Sequence, residues 1–319
     1  MRNLIVFGAT WFWLFVGTVV LGQTVINESE WEINRDSVIL HGTLSTPSLE
    51  NEKIVILFIS GSGLTDRNGN NPFLKNNSLK GLSDYLVFAG YTTLRYDKRG
   101  IGASKNRNIN ESSLRFDDFV SDASAWCKKM KDSFPDYQYV IAGHSQGSLI
   151  AILVAQREMV DGLISLAGTG RPIDQVIHEQ LEKQMPALVS ESDSIAALIK
   201  SGQTVADMNP ILSSIYRPGV QPFLRSWMKY DPAKEIGKLH IPIIIIQGEK
   251  DLQVTEEDAQ LLHKTNPSST IGLIPEMNHI LKDIQGGPSQ NQQSYNDPNL
   301  PISSELLKSI KSFLKKLLF

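Results

Sequence analysis

Cysteine is almost absent from this chain of 319 residues, where Cys127 stands alone. A single thiol excludes an intramolecular disulfide and any zinc or iron–sulfur site built from cysteines. The six histidines are scattered, with no HExxH and no pair at helical spacing, so no metal is expected. Neither sign of charge predominates. Lys and Arg number 31 against 34 Asp and Glu, a formal net charge of −3, and there is no long basic run. Nucleic-acid binders display a cationic face, so nucleic acid is not an expected partner. Internal repeats and low-complexity tracts are also missing. What remains is an ordinary globular composition, 41% hydrophobic and 20% charged, at a length that suits one large domain with an insertion.

The longest uncharged stretch lies at the start. Met1-Arg2-Asn3 is short and positive, residues 4–22 carry no charge, and Trp11, Phe12, Trp13, Leu14 and Phe15 form an apolar centre. Val20-Leu21-Gly22 offers small or apolar residues where a signal peptidase reads. Residues 1–22 are therefore expected to be a signal peptide, giving an exported chain that begins at Gln23. An uncleaved membrane anchor is the alternative, since about 18 apolar residues is the lower limit for a spanning helix.

Beyond this segment strands and helices alternate. Residues 53–60 (KIVILFIS) form a continuous apolar run, as a strand buried on both faces requires. Residues 38–44, 92–96, 139–142, 163–167, 241–247 and 270–274 read as further strands. Phe116, Phe119, Val120, Ala123, Cys127 and Met130 recur at steps of three and four, one apolar face of a helix, which makes Cys127 a core thiol. A C-terminal helix carries Leu306, Leu307, Ile310, Phe313 and Leu314 on one side and lysines on the other, and should close over the sheet. The pattern predicts an α/β fold, a mostly parallel sheet covered by helices on both faces. Residues 171–235 break the rhythm, with six prolines between helix-like pieces and no strong strand. They are expected to form a helical cap inserted into a core of residues 23–170 and 236–319. Phe223, Trp227 and Tyr230, late in the cap, are candidates for the substrate-binding wall, with anchoring of the cap to the core as the alternative.

Gly143-His144-Ser145-Gln146-Gly147 is a G-x-S-x-G motif between the strand at 139–142 and a helical run at 149–158. That context suits a nucleophile elbow, a turn so sharp that glycines are needed two residues to either side of the serine. A serine hydroxyl needs a base and the base needs an orienting acid, both following the serine in this chain order. His178 falls in the cap, His240 enters a strand and His263 lies in a helix, which leaves His279 just beyond the last strand. Asp251, beyond the strand at 241–247, is the acid, with Glu249 as its alternate. One oxyanion donor should be the N–H of Gln146. The other should come from the loop Ser60-Gly61-Ser62-Gly63, with Ser62 N–H as the choice and Gly63 as the alternate.

Together Ser60-Gly61-Ser62-Gly63, Tyr96-Asp97-Lys98-Arg99-Gly100-Ile101-Gly102-Ala103-Ser104, the elbow, the stretch from Gln247 to Val254, and Asn278-His279 resemble the α/β-hydrolase superfamily. The resemblance is to its serine-aminopeptidase-like and esterase branch, and Ser60-Gly61 stands where a His-Gly pair is common. It implies cleavage of esters or peptides without a cofactor, and a structural role for the turn at residues 97–102. The expected activity is serine hydrolysis of a carboxylic ester, with a small-molecule ester or short peptide as substrate. Peptidase or thioesterase chemistry on the same triad is the nearest alternative, and a non-catalytic binding module lies further away.

Overall fold

The run at 53–60 becomes a central strand for a reason visible in its composition. In the computed structural model, which describes residues 25–35, 38–49, 51–106 and 109–318, all six residues of β3 (Ile54–Ile59) are buried. Val55, Leu57 and Ile59 enter one hydrophobic cluster, while Ile54, Ile56 and Phe58 enter a second on the opposite face. Strand side chains alternate between faces, so a strand covered on both sides must be apolar throughout. The expected signal segment, residues 1–22, lies outside the described residues.

The elements follow in the order β1 (Ile26–Arg35), β2 (Val38–Pro47), β3, α1 (Ser78–Phe88), β4 (Thr92–Tyr96), α2 (Phe116–Ser133), β5 (Gln138–His144), α3 (Gln146–Ala155) and β6 (Gly162–Leu166). The insertion then supplies α4 (Ile173–Gln184), α5 (Val189–Lys200), α6 (Ser213–Tyr216), α7 (Gln221–Trp227) and α8 (Pro232–Ile236). The chain closes with β7 (Ile243–Gly248), α9 (Glu256–Thr265), β8 (Thr270–Ile274), α10 (Pro288–Ser294) and α11 (Ser304–Leu317). One eight-stranded sheet has the order β1-β2-β4-β3-β5-β6-β7-β8. β2 pairs antiparallel with β1 and with β4, and every other pair is parallel. The apolar faces of α2 and α3 cover one side, and those of α1 and α11 cover the other. Cys127 is fully buried on α2, and burial pushes its thiol up to about 11, well away from a reactive thiolate.

β1 was not anticipated. Its core signal is thin, because only Trp31 and Ile33 pack against the hydrophobic cluster. The opposite face carries Glu28 and Glu30, whose carboxylates reach Arg95 and Arg67 on distant segments.

The cap aromatics go to a different place from the cleft wall expected of them. Phe223 and Trp227 sit four residues apart on α7, so they share a face, and that face meets the start of α2. Trp227 stacks nearly parallel on Phe116 with ring centroids 5.5 Å apart, and Phe223 packs edge-on to Phe116 and against Phe119. Ser226 Oγ accepts from the Phe116 N–H at 2.7 Å, and the Tyr230 hydroxyl donates to Asp117. These contacts fasten the insertion to the core. Replacing Trp227 by alanine should therefore lower the unfolding free energy by about 3 kcal/mol, read from urea denaturation midpoints. An unchanged midpoint would contradict the anchoring role.

Candidate active site

The register of the parallel strands decides where chemistry can occur. Ile59 of β3 lies opposite Gly143 of β5, His144 opposite Leu166 of β6, and Leu166 opposite Ile246 of β7. Their carboxyl ends therefore share one edge, and the loops carrying Ser62, Ser145 and Asp251 leave from it. Ser145 immediately precedes α3 as its N-cap, with φ 54° and ψ −122°, a conformation that costs a residue with a side chain about 1–3 kcal/mol. The neighbouring glycines explain how the turn fits. A Cβ on Gly143 would lie 2.2 Å from the Gly147 carbonyl, and one on Gly147 would lie 2.2 Å from the Ile59 carbonyl. The Ser145 N–H donates to the Leu166 carbonyl at 2.9 Å, which pins the turn to β6.

The structure brings Asp251 and His279 together. His279 Nδ1 lies 2.7 Å from Asp251 Oδ2, and both side chains are almost fully buried. The other oxygen, Oδ1, accepts the N–H groups of Gln253 at 2.7 Å and Val254 at 3.0 Å. Gln247 Nε2 adds a bond to Oδ2 at 3.0 Å. Burial pushes this carboxyl up, but the His279 ring and the two N–H groups outweigh it and hold Asp251 below its ordinary range. A carboxylate acceptor fixes the proton on Nδ1 and leaves Nε2 to accept. The alternate acid, Glu249, has no hydrogen bond or ion pair with His279 among the described residues. Ser145 and His279 line one cleft, without a hydrogen bond between the hydroxyl and the ring among the described residues.

Buried polar side chains cross-link the three loops. His144, beside the serine, is engaged elsewhere: its Nε2 donates to the His279 carbonyl at 2.7 Å. Asn278 Nδ2 donates to Asn291 Oδ1 at 2.9 Å and Ser294 Oγ at 2.8 Å on α10. Asn291 in turn donates to the Lys250 carbonyl at 2.7 Å, next to Asp251. The position of His279 is thus set from both sides.

The cleft measures about 170 Å³ and is walled by Gly61, Ser62, Thr65, Gly69, Asn71, Leu74, Asn76, Ser78, Gln253, Ile280 and Tyr295 rather than by the cap aromatics. Gly61 lies against the elbow, where an added Cβ would be 3.3 Å from Ser145 Cβ. The Ser62 N–H, at the cleft, donates to no protein group among the described residues. Gln146 opens α3, where the first N–H groups have no partner within the helix. Asp97 accepts from Arg67 N and Nε and from Ala103 N, so it ties the cleft loop to the turn after β4. Tyr295 escaped sequence reasoning. It lies well beyond the last recognisable motif, in a polar stretch with no apolar period to mark it.

His144 also carries a pH signature. Burial, assisted by the neighbouring His279, pushes its ring down to about 3 from the ordinary 6.5. Between these values the unfolded chain binds a proton that the folded protein refuses, so stability falls as the pH falls. His144→Gln keeps a donor for the His279 carbonyl and removes the titration. Between pH 6 and 4 its unfolding free energy should fall less steeply than that of wild type, by about 1.4 kcal/mol per pH unit. Parallel slopes in urea titrations would contradict the buried neutral ring.

Comparison with known proteins identifies the family and the fold. The family described as Serine aminopeptidase, S33 matches residues 76–283, more than half of the chain. The esterase EstD of Thermotoga maritima is 25% identical over 261 residues, 77% of this chain. The chain spans 59% of the length of that relative. The structure of Est1E from Butyrivibrio proteoclasticus with ferulic acid bound superposes with a TM-score of 0.60 at 17% identity, covering 90% of this chain and 99% of the other. An esterase of Pyrococcus furiosus gives 0.60 at 17% identity, with coverage of 93% and 92%. The sheet order, the elbow at Ser145 and the family match lead to one conclusion: the chain has the α/β-hydrolase fold and belongs to the serine aminopeptidase, S33 family.

Proposed function

We propose that the protein is an exported serine hydrolase that cleaves a carboxylic ester with a short acyl group. The observation that carries this reading is the buried His279–Asp251 pair, 2.7 Å apart, whose histidine lines the same cleft as Ser145. Ser145 Oγ attacks the ester carbonyl while His279 Nε2 takes its proton, and Asp251 holds the Nδ1 proton and stabilises the imidazolium. The N–H groups of Gln146 and Ser62 receive the developing oxyanion. His279 returns the proton to the leaving alkoxide, and the same groups then direct water onto the acyl-enzyme.

The size of the cleft supports a short acyl group. At about 170 Å³ it is well below the roughly 300–1,000 Å³ of sites that enclose drug-sized ligands. Its lining supports an ester over an aminopeptide. A substrate α-ammonium calls for a carboxylate, and among the described residues that wall the cleft there is no Asp or Glu. The name of the esterase EstD points the same way. Export rests on the uncharged run at residues 4–22.

Purified protein assayed on p-nitrophenyl acetate, butyrate and decanoate beside aminoacyl anilides tests the reading. The short esters should be turned over fastest, and Ser145→Ala should lower kcat by about three orders of magnitude or more without unfolding the protein. A folded Ser145→Ala variant with near-wild-type turnover would overturn it, as would anilides preferred to esters. For export, protein from its native host should begin near Gln23 by N-terminal sequencing, and a chain still starting at Met1 in the membrane would contradict that part.

A further inference from the structure

Lys98 is a buried cation for which the reaction above has no use. Its residue is 1% exposed, in the turn that follows β4. No carboxylate lies within ion-pair distance of Nζ among the described residues, and its neighbour Asp97 is engaged by Arg67 and Ala103. Nζ donates instead to two backbone carbonyls, that of Ser60 at 3.2 Å and that of Gly61. The Phe119 ring covers the ammonium from α2 at 5.6 Å. Burial drives this amine down to about 7, so holding a lysine here costs the fold stability that an apolar side chain would not cost.

The two carbonyls belong to the loop that carries the second oxyanion donor. In a trans peptide the C=O and the following N–H lie in one plane and point in opposite directions, and the described residues contain no cis peptide. The Gly61 carbonyl and the Ser62 N–H are the two ends of one such unit. With the carbonyl bound by Lys98, which does not line the cleft, the Ser62 N–H points away from Lys98, and Ser62 lines the cleft together with Ser145. Within the loop, Ser60 Oγ donates to the Thr65 carbonyl at 3.1 Å and Thr65 Oγ1 to the Ser62 carbonyl at 2.8 Å, but among the described residues no loop hydrogen bond reaches the Gly61–Ser62 peptide itself. Gly61 has no side chain to bias its backbone, and Gly63 already occupies φ 68°. A reversed peptide would turn the Gly61 carbonyl toward the developing oxyanion and leave Nζ with a single partner.

We propose that Lys98 is the positioning residue of the oxyanion hole: by binding the Ser60 and Gly61 carbonyls it locks the Gly61–Ser62 peptide with its N–H directed at the cleft. This rests on the proposed ester hydrolysis and on Ser62 as donor. Lys98 touches no substrate atom, so its removal should spare substrate binding and slow the chemical step.

The test compares wild type, Ser145→Ala, Lys98→Met and Lys98→Gln on p-nitrophenyl acetate, with the rates of wild type and the Lys98 variants normalised to sites titrated by a fluorophosphonate run to completion and that of Ser145→Ala to protein concentration. Lys98→Met should lower kcat by about 10²–10³-fold, the size of a lost oxyanion donor, with KM changed by no more than about threefold. Lys98→Gln retains an amide donor that can hold one carbonyl and should fall between the two. It also supplies the answer if the methionine variant does not fold. Wild-type kcat per titrated site in either folded variant would overturn the proposal, as would a loss carried by KM. An active wild type with an inactive Ser145→Ala variant isolates that failure to Lys98. A wild type without esterase activity fails the underlying reading instead.

Discussion

Three backbones meet without side chains between them at the end of β5, and the rest of the site depends on that contact. Gly143 packs on the carbonyl of Gly147, and Gly147 packs on the carbonyl of Ile59, at distances where a methyl group would collide. Only this approach lets the chain reverse from β5 into α3 within one residue and carry Ser145 at positive φ. The conformational cost is met by the core below, where β3, β5 and β6 are buried on both faces and cannot yield. The same approach puts the loop after β3 against the elbow. The elbow serine and the position of the loop after β3 are in this sense products of one packing constraint.

Above that contact the site is held by polar atoms rather than by apolar packing. His144 joins the elbow to the His279 loop, Asn278 and Asn291 join that loop to the one bearing Asp251, and Arg67 with Asp97 joins the cleft wall to β4. These bonds are buried or partly buried, and where burial is full an unmet partner costs about 1–3 kcal/mol, so these side chains specify position more strongly than a hydrophobic contact of equal area. The arrangement suits a reaction in which the base, its carboxylate and the oxyanion donors must keep fixed relative places while substrates enter and leave.

The parts legible in the sequence are those whose evidence is local. The run KIVILFIS declares a strand covered on both faces, and the glycines around Ser145 declare the turn. Asp251 and His279 were readable as candidates because each lies in the loop that leaves a recognisable strand, β7 or β8. The other features depend on contacts between remote segments. β1 is half polar because Glu30 and Glu28 answer Arg67 and Arg95, and nothing near Glu28 in the chain announces Arg95. Phe223 and Trp227 show by their spacing that α7 has an apolar face, but spacing does not say whether that face meets a cleft or a helix. Lys98 sits in a recognisable turn, yet its value lies in two carbonyls some forty residues earlier.

The central claim is that Ser145 is the nucleophile of an acyl-transfer site, and covalent trapping tests it most directly. The protein would be incubated with an alkyl fluorophosphonate, digested, and the modified residue located by tandem mass spectrometry. The account predicts one stoichiometric adduct, on Ser145, with loss of ester hydrolysis in proportion to labelling. Ester hydrolysis that survives full labelling of Ser145, or an inactivating adduct on another residue, would contradict it.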